Sequence, residues 1–240
     1  MKKWSIFTLI LMFAAVLGML SGCAGDAAPQ TAASDQREAI RIATDYRMDS
    51  IGYQQLQDFA VRVQEKSKNT IVVKLYDRGS WSETESFAEC IKLGTLEMAA
   101  LPIEAASQLQ PAYAVYNQPY LFSSMQIAES YLTGKAGRSA LDTLPEAYYG
   151  IGFVPEGYLY LLNQEGLQWV SYGDLRHMGQ TKALAGAAVY DLRALYSVQP
   201  LVTSRDWWDG LSEQQRVWIQ ESFAEAVTAS FMQQTDKDPA

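Results

Sequence analysis

A chain of 240 residues, 48% of them hydrophobic, can bury a core and make one or two small domains. Its formal charge of -8 repels nucleic-acid phosphates, so nucleic-acid binding is excluded as a class, and docking onto anionic lipid headgroups is disfavoured. One histidine and two cysteines are too few for most zinc sites, and no Walker loop, Gly-x-Gly-x-x-Gly or Gly-x-Ser-x-Gly segment points to nucleotide or hydrolase chemistry.

The first segment carries the strongest signal. Lys2 and Lys3 precede an uncharged apolar run from Trp4 to Leu20, then Leu20-Ser21-Gly22-Cys23. A basic start, an apolar stretch and a small-residue site read as an export signal over residues 1–22. The sequence Leu-Ser-Gly-Cys resembles a bacterial lipobox, which implies lipidation of Cys23 (palmitate among the added chains) and cleavage before it. A membrane-spanning anchor is the competing reading, but Ser-Gly-Cys-Ala-Gly ends the run and no basic cluster follows. Removing residues 1–22 takes away two lysines and no acid, moving the formal charge from -8 to -10. Attachment to the membrane then falls to the lipid on Cys23, on the extracytoplasmic (periplasmic) face. Cys90 is left as a single thiol, expected as a small buried hydrophobe on a helix face.

Residues 23–38 are small and polar and read as a flexible tether. A strand is predicted at Ala39–Thr44, a helix from about Ile51 to Lys66 on Leu56, Phe59, Ala60 and Val63, and a strand at Thr70–Tyr76. Ser82 with Glu85 forms a capping box for a helix that carries Phe87, Cys90 and Ile91 and stops at Gly94. Met98–Leu101 is a third strand. Strand-helix alternation of this kind predicts a parallel sheet with crossover helices, with ligands at the carboxyl ends of the strands. Those ends fall near Asp45-Tyr46, Asp77–Trp81 and Pro102-Ile103. Ser123 is expected to cap a helix bearing Ile127, Ala128, Tyr131 and Leu132, closed by Gly134. Gly150–Val154 and Tyr158–Leu162 read as two strands. Ser212 with Gln215 is a second capping box, opening a long helix striped by Ile219, Phe223, Ala226, Val227 and Phe231.

Five segments, in order, resemble the solute-binding proteins of TRAP-type (tripartite ATP-independent periplasmic) transporters. They are Ile42-Ala43-Thr44, Trp81–Leu96 with Leu93-Gly94-Thr95-Leu96-Glu97-Met98, Asn117-Gln118-Pro119-Tyr120-Leu121-Phe122, Gly150–Asn163, and Leu201–Gln215 with its Trp207-Trp208. The resemblance implies an α/β, periplasmic-binding-protein-like fold: a parallel-sheet lobe with crossover helices, a second lobe and a long C-terminal helix. It implies a receptor that closes on a small organic acid (a carboxylate or sugar acid) and delivers it to TRAP-type membrane permease subunits, without covalent chemistry, cofactor or metal. This chain departs from the family in length: between Asp174–Gly179 and Tyr196 the family has much more sequence, so residues 158–240 are expected to form a reduced second lobe with the C-terminal helices, and residues 39–157 the first lobe. The strand at Tyr158-Leu159-Tyr160 also lacks the arginine that members carry after the glycine. The competing function is a shortened, non-transport lipoprotein, kept as a docking or sensory surface or as a remnant.

Candidate ligand-binding residues follow from both lines. Tyr46, Trp81 and Glu83 lie in loops at strand ends, where they are placed to stack on or hydrogen-bond a solute; the plainer roles are covering a sheet edge for Trp81 and first-turn helix stabilisation for Glu83. Tyr158 shares a strand face with Tyr160, either cleft-lining or half-buried core. Arg176, in Asp174-Leu175-Arg176, sits where the family's Asp-Leu-Lys-Gly-Met-Lys-Ile-Arg begins and is the remaining carboxylate reader, against a surface salt bridge as its ordinary role.

Overall fold

In the computed structural model, residues 38–77, 79–81 and 86–235 are described. Cys23, the tether up to residue 37, Glu83 and the Ser82–Glu85 capping box lie outside them, and Glu38, read as the tether's last residue, begins the first strand.

The strand β1 (Glu38–Thr44) is central because both of its faces are apolar or paired. Ile40, Ile42 and Ala43 are fully buried. Arg41, facing away from Ile40 and Ile42, forks onto Glu97 with Nε–Oε2 at 2.9 Å and Nη2–Oε1 at 2.6 Å. The helix α1 (Ile51–Lys66) begins where Ser50 Oγ accepts from Tyr53 N, and it crosses to β2 (Ile71–Tyr76). Lys68 and Asn69 turn the chain with positive φ of 52° and 61°. Helix α2 (Phe87–Lys92) buries Cys90 and Ile91 and leads to β3 (Met98–Ala100). Strands β2 and β3 both pair in parallel with β1, as the alternation predicts.

The middle of the chain is helical. It holds α3 (Ile103–Leu109), a 3-10 helix at Pro111–Asn117, α4 (Met125–Thr133) and α5 (Lys135–Leu141). Ser124, not Ser123, caps α4, accepting from Ile127 N at 3.2 Å. The two strands read at Gly150–Val154 and Tyr158–Leu162 are present as the long β4 (Tyr148–Tyr158) and the short β5 (Tyr160–Asn163), with only Leu159 between them. Register shifts at Gly150/Gly152 and Pro155/Gly157 bend β4.

Strand order is β2-β1-β3-β8-β4 in the larger sheet, where β8 is Tyr196–Ser204, and β6-β5-β7 in the smaller, where β6 is Leu167–Val170 and β7 is Ala188–Tyr190. The smaller sheet is built from β5, β6 (Leu167–Val170) and β7 (Ala188–Tyr190), all antiparallel, with α6 (Tyr172–Gln180) between β6 and β7. Residues 180–195, expected to stand in for a longer segment, contribute the strand β7. From there the chain returns: β8 (Tyr196–Ser204) inserts antiparallel between β3 and β4. A division after residue 157 groups β8 with the smaller lobe, whereas its hydrogen bonds place it in the larger sheet, which is mixed rather than purely parallel. The two crossings between sheets lie side by side, tied by Leu159 N donating to Leu195 O at 2.8 Å.

After α7 (Arg205–Gly210), the box read at Ser212 is made: Ser212 N donates to Gln215 Oε1 at 2.9 Å and Gln215 N to Ser212 Oγ at 3.3 Å. It opens α8 (Glu213–Thr235), whose stripe of Ile219, Phe223, Ala226, Val227 and Phe231 is buried. Phe223 meets Phe59 of α1 edge-on at 5.7 Å, and Arg62 and Lys66 of α1 pair with Glu225 at 3.0 and 2.9 Å. No helix among the described residues is long and apolar enough to cross a membrane.

Candidate functional site

The strand order decides which loops converge. The carboxyl ends of β1, β3 and β4 and the start of β8 open on one side, facing the smaller sheet. The sequence between them forms a cleft of about 230 Å³ lined by Asp45, Tyr46, Arg47 and Ser50, by Pro102–Glu104, Tyr116 and Asn117, by Glu156 and Leu159, by Trp169, Ser171 and Asp174, and by residues 195–199. Two of the three strand ends expected to meet ligand are here. The third, near Asp77–Trp81, is not, because β2 is the edge strand and its end lies outside the convergence.

A larger groove of about 570 Å³ lies between α1, α6 and α8. Tyr158, Tyr160 and Arg176 line this groove and not the cleft, while Leu159 lines the cleft. Alternation along an extended strand is the cause: if Leu159 faces one way, its neighbours face the other. The smaller opening lies beyond the strands' carboxyl ends, where ligands of α/β sheets ordinarily bind. Trp81 borders neither: it packs edge-on against Tyr76 of β2 at 5.3 Å and covers the sheet edge. Tyr46 is in the cleft wall, 5% exposed, but its hydroxyl donates to Val154 O at 3.0 Å. Burial first, then Glu156 and Asp45, hold that phenol well above the ordinary tyrosine range, so it stays protonated. Its ring also fills the space beside Gly52, where a Cβ would lie 2.3 Å from Cε2.

Sequence reasoning passed over most of the groups that define the cleft. Glu156, 3% exposed, accepts from Gly52 N at 2.7 Å and Ile51 N at 3.4 Å, supplying the first turn of α1 with a carboxylate. Burial pushes its carboxyl up to about 7, with Asp174 adding to the rise and the two backbone donors opposing it. Arg47 approaches Asp49 and Asp174 through Nε, at 3.3 and 3.5 Å. The terminal nitrogens of its fork take no hydrogen bond among the described residues. On the opposite wall Gln199 Nε2 donates to Asp45 Oδ1, and Asn117 Nδ2 donates to Glu104 Oε1 at 3.1 Å. Gln199 Oε1 and Tyr196 Oη are buried and have no hydrogen-bond partner among the described residues. The signal that could have found Arg47 was its distance from the end of β1, three residues past Thr44. Gln199 and Tyr196 had none, because their place depends on β8 inserting beside β3.

No group of three or more His, Cys, Asp or Glu side chains placed to hold a metal occurs among the described residues.

No curated protein matches the sequence. Among solved structures, a TRAP periplasmic solute binding protein from Ochrobactrum anthropi, with its C-terminus bound in its ligand-binding pocket, superposes with a TM-score of 0.71 at 17% identity, covering 85% of this chain and 79% of that one. A sugar acid binding protein from Advenella mimigardefordensis, in complex with galactonate, gives 0.66 at 17% identity over 84% and 82%. A TRAP periplasmic solute binding protein from Shewanella oneidensis with bound succinate gives 0.68 at 13% identity over 84% and 82%. These likenesses establish the periplasmic-binding-protein α/β fold. The sequence profile of the bacterial extracellular solute-binding proteins, family 7, matches residues 43–171, more than half of the chain. The chain belongs to that family.

Proposed function

We propose that this protein is an extracytoplasmic solute-binding protein of a TRAP-type transporter, lipid-anchored through Cys23, that captures a small organic acid and presents it to membrane permease subunits. The carrying observation is Arg47: a guanidinium at the mouth of a strand-end cleft, its terminal nitrogens unused among the described residues. A guanidinium fork matches a carboxylate in charge and shape, and two parallel bonds fix the acid's orientation. The succinate, galactonate and L-malate bound by proteins of the same fold support an acid as the solute. The paired crossings at Leu159 and Leu195 give the smaller lobe a hinge about which to close. Release intact, with no bond made or broken, is the expected outcome, since Glu156, the carboxyl pushed toward neutrality, is engaged in capping α1.

Exposed apolar side chains on and around the smaller lobe, Leu167, Val189, Tyr190 and Leu192, favour a second reading, in which the shortened lobe is a docking surface of a non-transport lipoprotein. Thermal unfolding of the full chain in mild detergent, with succinate, malate and galactonate at millimolar concentration, separates the two. A receptor is stabilised by its solute, by about 2.7 kcal/mol at a hundredfold excess over Kd. A midpoint that no acid moves supports the docking surface instead.

A further inference from the structure

Two features of the cleft that ordinarily receive an anion are already engaged from within the protein. The first N–H groups of α1 at Ile51, Gly52 and Tyr53 are taken by Glu156 and by Ser50 Oγ. Arg47 is held at Nε by Asp49 and Asp174, which leaves only the end of its fork. The opposite wall asks for the reverse chemistry. Gln199 turns its amide so that Nε2 donates to Asp45 Oδ1. That leaves Oε1, an acceptor on a residue 6% exposed, with no partner among the described residues. Tyr196 Oη, on a residue 4% exposed, is a second buried group without one. Glu104 lines the same wall, and its Oε1 takes one amide hydrogen of Asn117. The Gln199 oxygen can only accept and carries a desolvation cost until a donor reaches it, whereas the Tyr196 hydroxyl can donate or accept.

We infer that the solute carries a protonated amine as well as an acid group, the acid facing the Arg47 fork and the amine donating to Gln199 Oε1 and the Asp45 carboxylate. The inference rests on the receptor reading above and narrows its solute to an amino-bearing acid. An ammonium brings three donors and a positive charge to a cleft whose lining includes Asp45, Glu104 and Asp174 against one guanidinium. A hydroxyl brings one donor and no charge. A second carboxylate would meet Asp45 and an unpaired carbonyl oxygen, a like-charge contact of the kind that sites use to reject the wrong ligand.

Calorimetric titration of the full chain in detergent with matched pairs decides it: aspartate against succinate, glutamate against glutarate, 4-aminobutyrate against butyrate. In at least one pair the amino-bearing acid binds tenfold or more tighter than its partner. Asp45→Asn and Gln199→Leu each remove most of that difference, and a difference that survives both variants overturns the assignment of the amine to this wall. If the amine-free acid binds as well or better in every pair, the amine is ruled out and the receptor reading stands. If none of the six binds while galactonate does, the amine is equally ruled out. If nothing binds, the receptor reading fails with it.

Discussion

Glu156→Gln tests how the cleft is built. The wild-type carboxyl is 3% exposed and is pushed from 4.5 to about 7, chiefly by burial. Between those two pH values the folded protein binds more protons at this site than the unfolded chain does. Stability contributed by the site therefore falls as pH rises: the cost is absent below 4.5 and complete above 7. At about 1.36 kcal/mol per pH unit the full cost is about 3 kcal/mol. Glutamine keeps the shape and one acceptor oxygen for Gly52 N, and it has no charge to desolvate. Urea unfolding of both proteins, followed by tryptophan fluorescence between pH 4.5 and 8.5, isolates the cost of the buried charge as a difference. The variant and wild type should be close at pH 4.5, and the variant should gain up to about 3 kcal/mol on the wild type by pH 8. A variant less stable than wild type at pH 8, with a pH profile parallel to it, would refute the reasoning. It would mean that the ionised carboxylate stabilises α1 more than its burial costs.

Three further outcomes follow from the packing and the first segment. In Gly152→Ala the new Cβ would lie 2.1 Å from Phe223 Cε1, so β4 and α8 must part; the expected loss is about 1–3 kcal/mol in urea unfolding, and a change under about 0.5 kcal/mol would contradict the contact. Tyr46→Phe removes the buried hydrogen bond to the Val154 carbonyl and should cost about 1–3 kcal/mol while leaving solute affinity unchanged; a tenfold loss of affinity at unchanged stability would mean that the hydroxyl reads the solute. Cys23→Ser should abolish incorporation of labelled palmitate and move the chain out of the membrane fraction, and a variant that stays membrane-bound would return the first segment to a spanning anchor.

Local chemistry was readable from sequence wherever it closes over a few residues. The Ser212–Gln215 box, the α1 stripe around Leu56 and Phe59, and the parallel pairing of β1, β2 and β3 all rest on short spacings, and the structure makes each of them. What escaped is non-local. The insertion of β8 beside β3 joins residues about a hundred positions apart, and nothing in Tyr196–Ser204 names its neighbour. That one pairing brings Tyr196 and Gln199 to the cleft, so the cleft's acceptor wall could not be read without it. Strand order also separated Trp81 from Tyr46: both sit at strand ends, but β2 is an edge. Tyr158 shows the sharpest sensitivity, because a strand reverses its face at every residue, and the cleft takes Leu159 instead. Arg176 lies in the motif that the resemblance pointed to, but α6 turns it toward the larger groove.

The most direct test of the account is calorimetric titration of wild type and Arg47→Gln with small organic acids, amino-bearing and amine-free. The account predicts one-to-one saturable binding of at least one acid to the wild type. It predicts a loss on the order of tenfold to a hundredfold in Arg47→Gln, the worth of a charge-assisted hydrogen bond. Binding that is equally strong without the guanidinium, or no binding to the wild type, would contradict it.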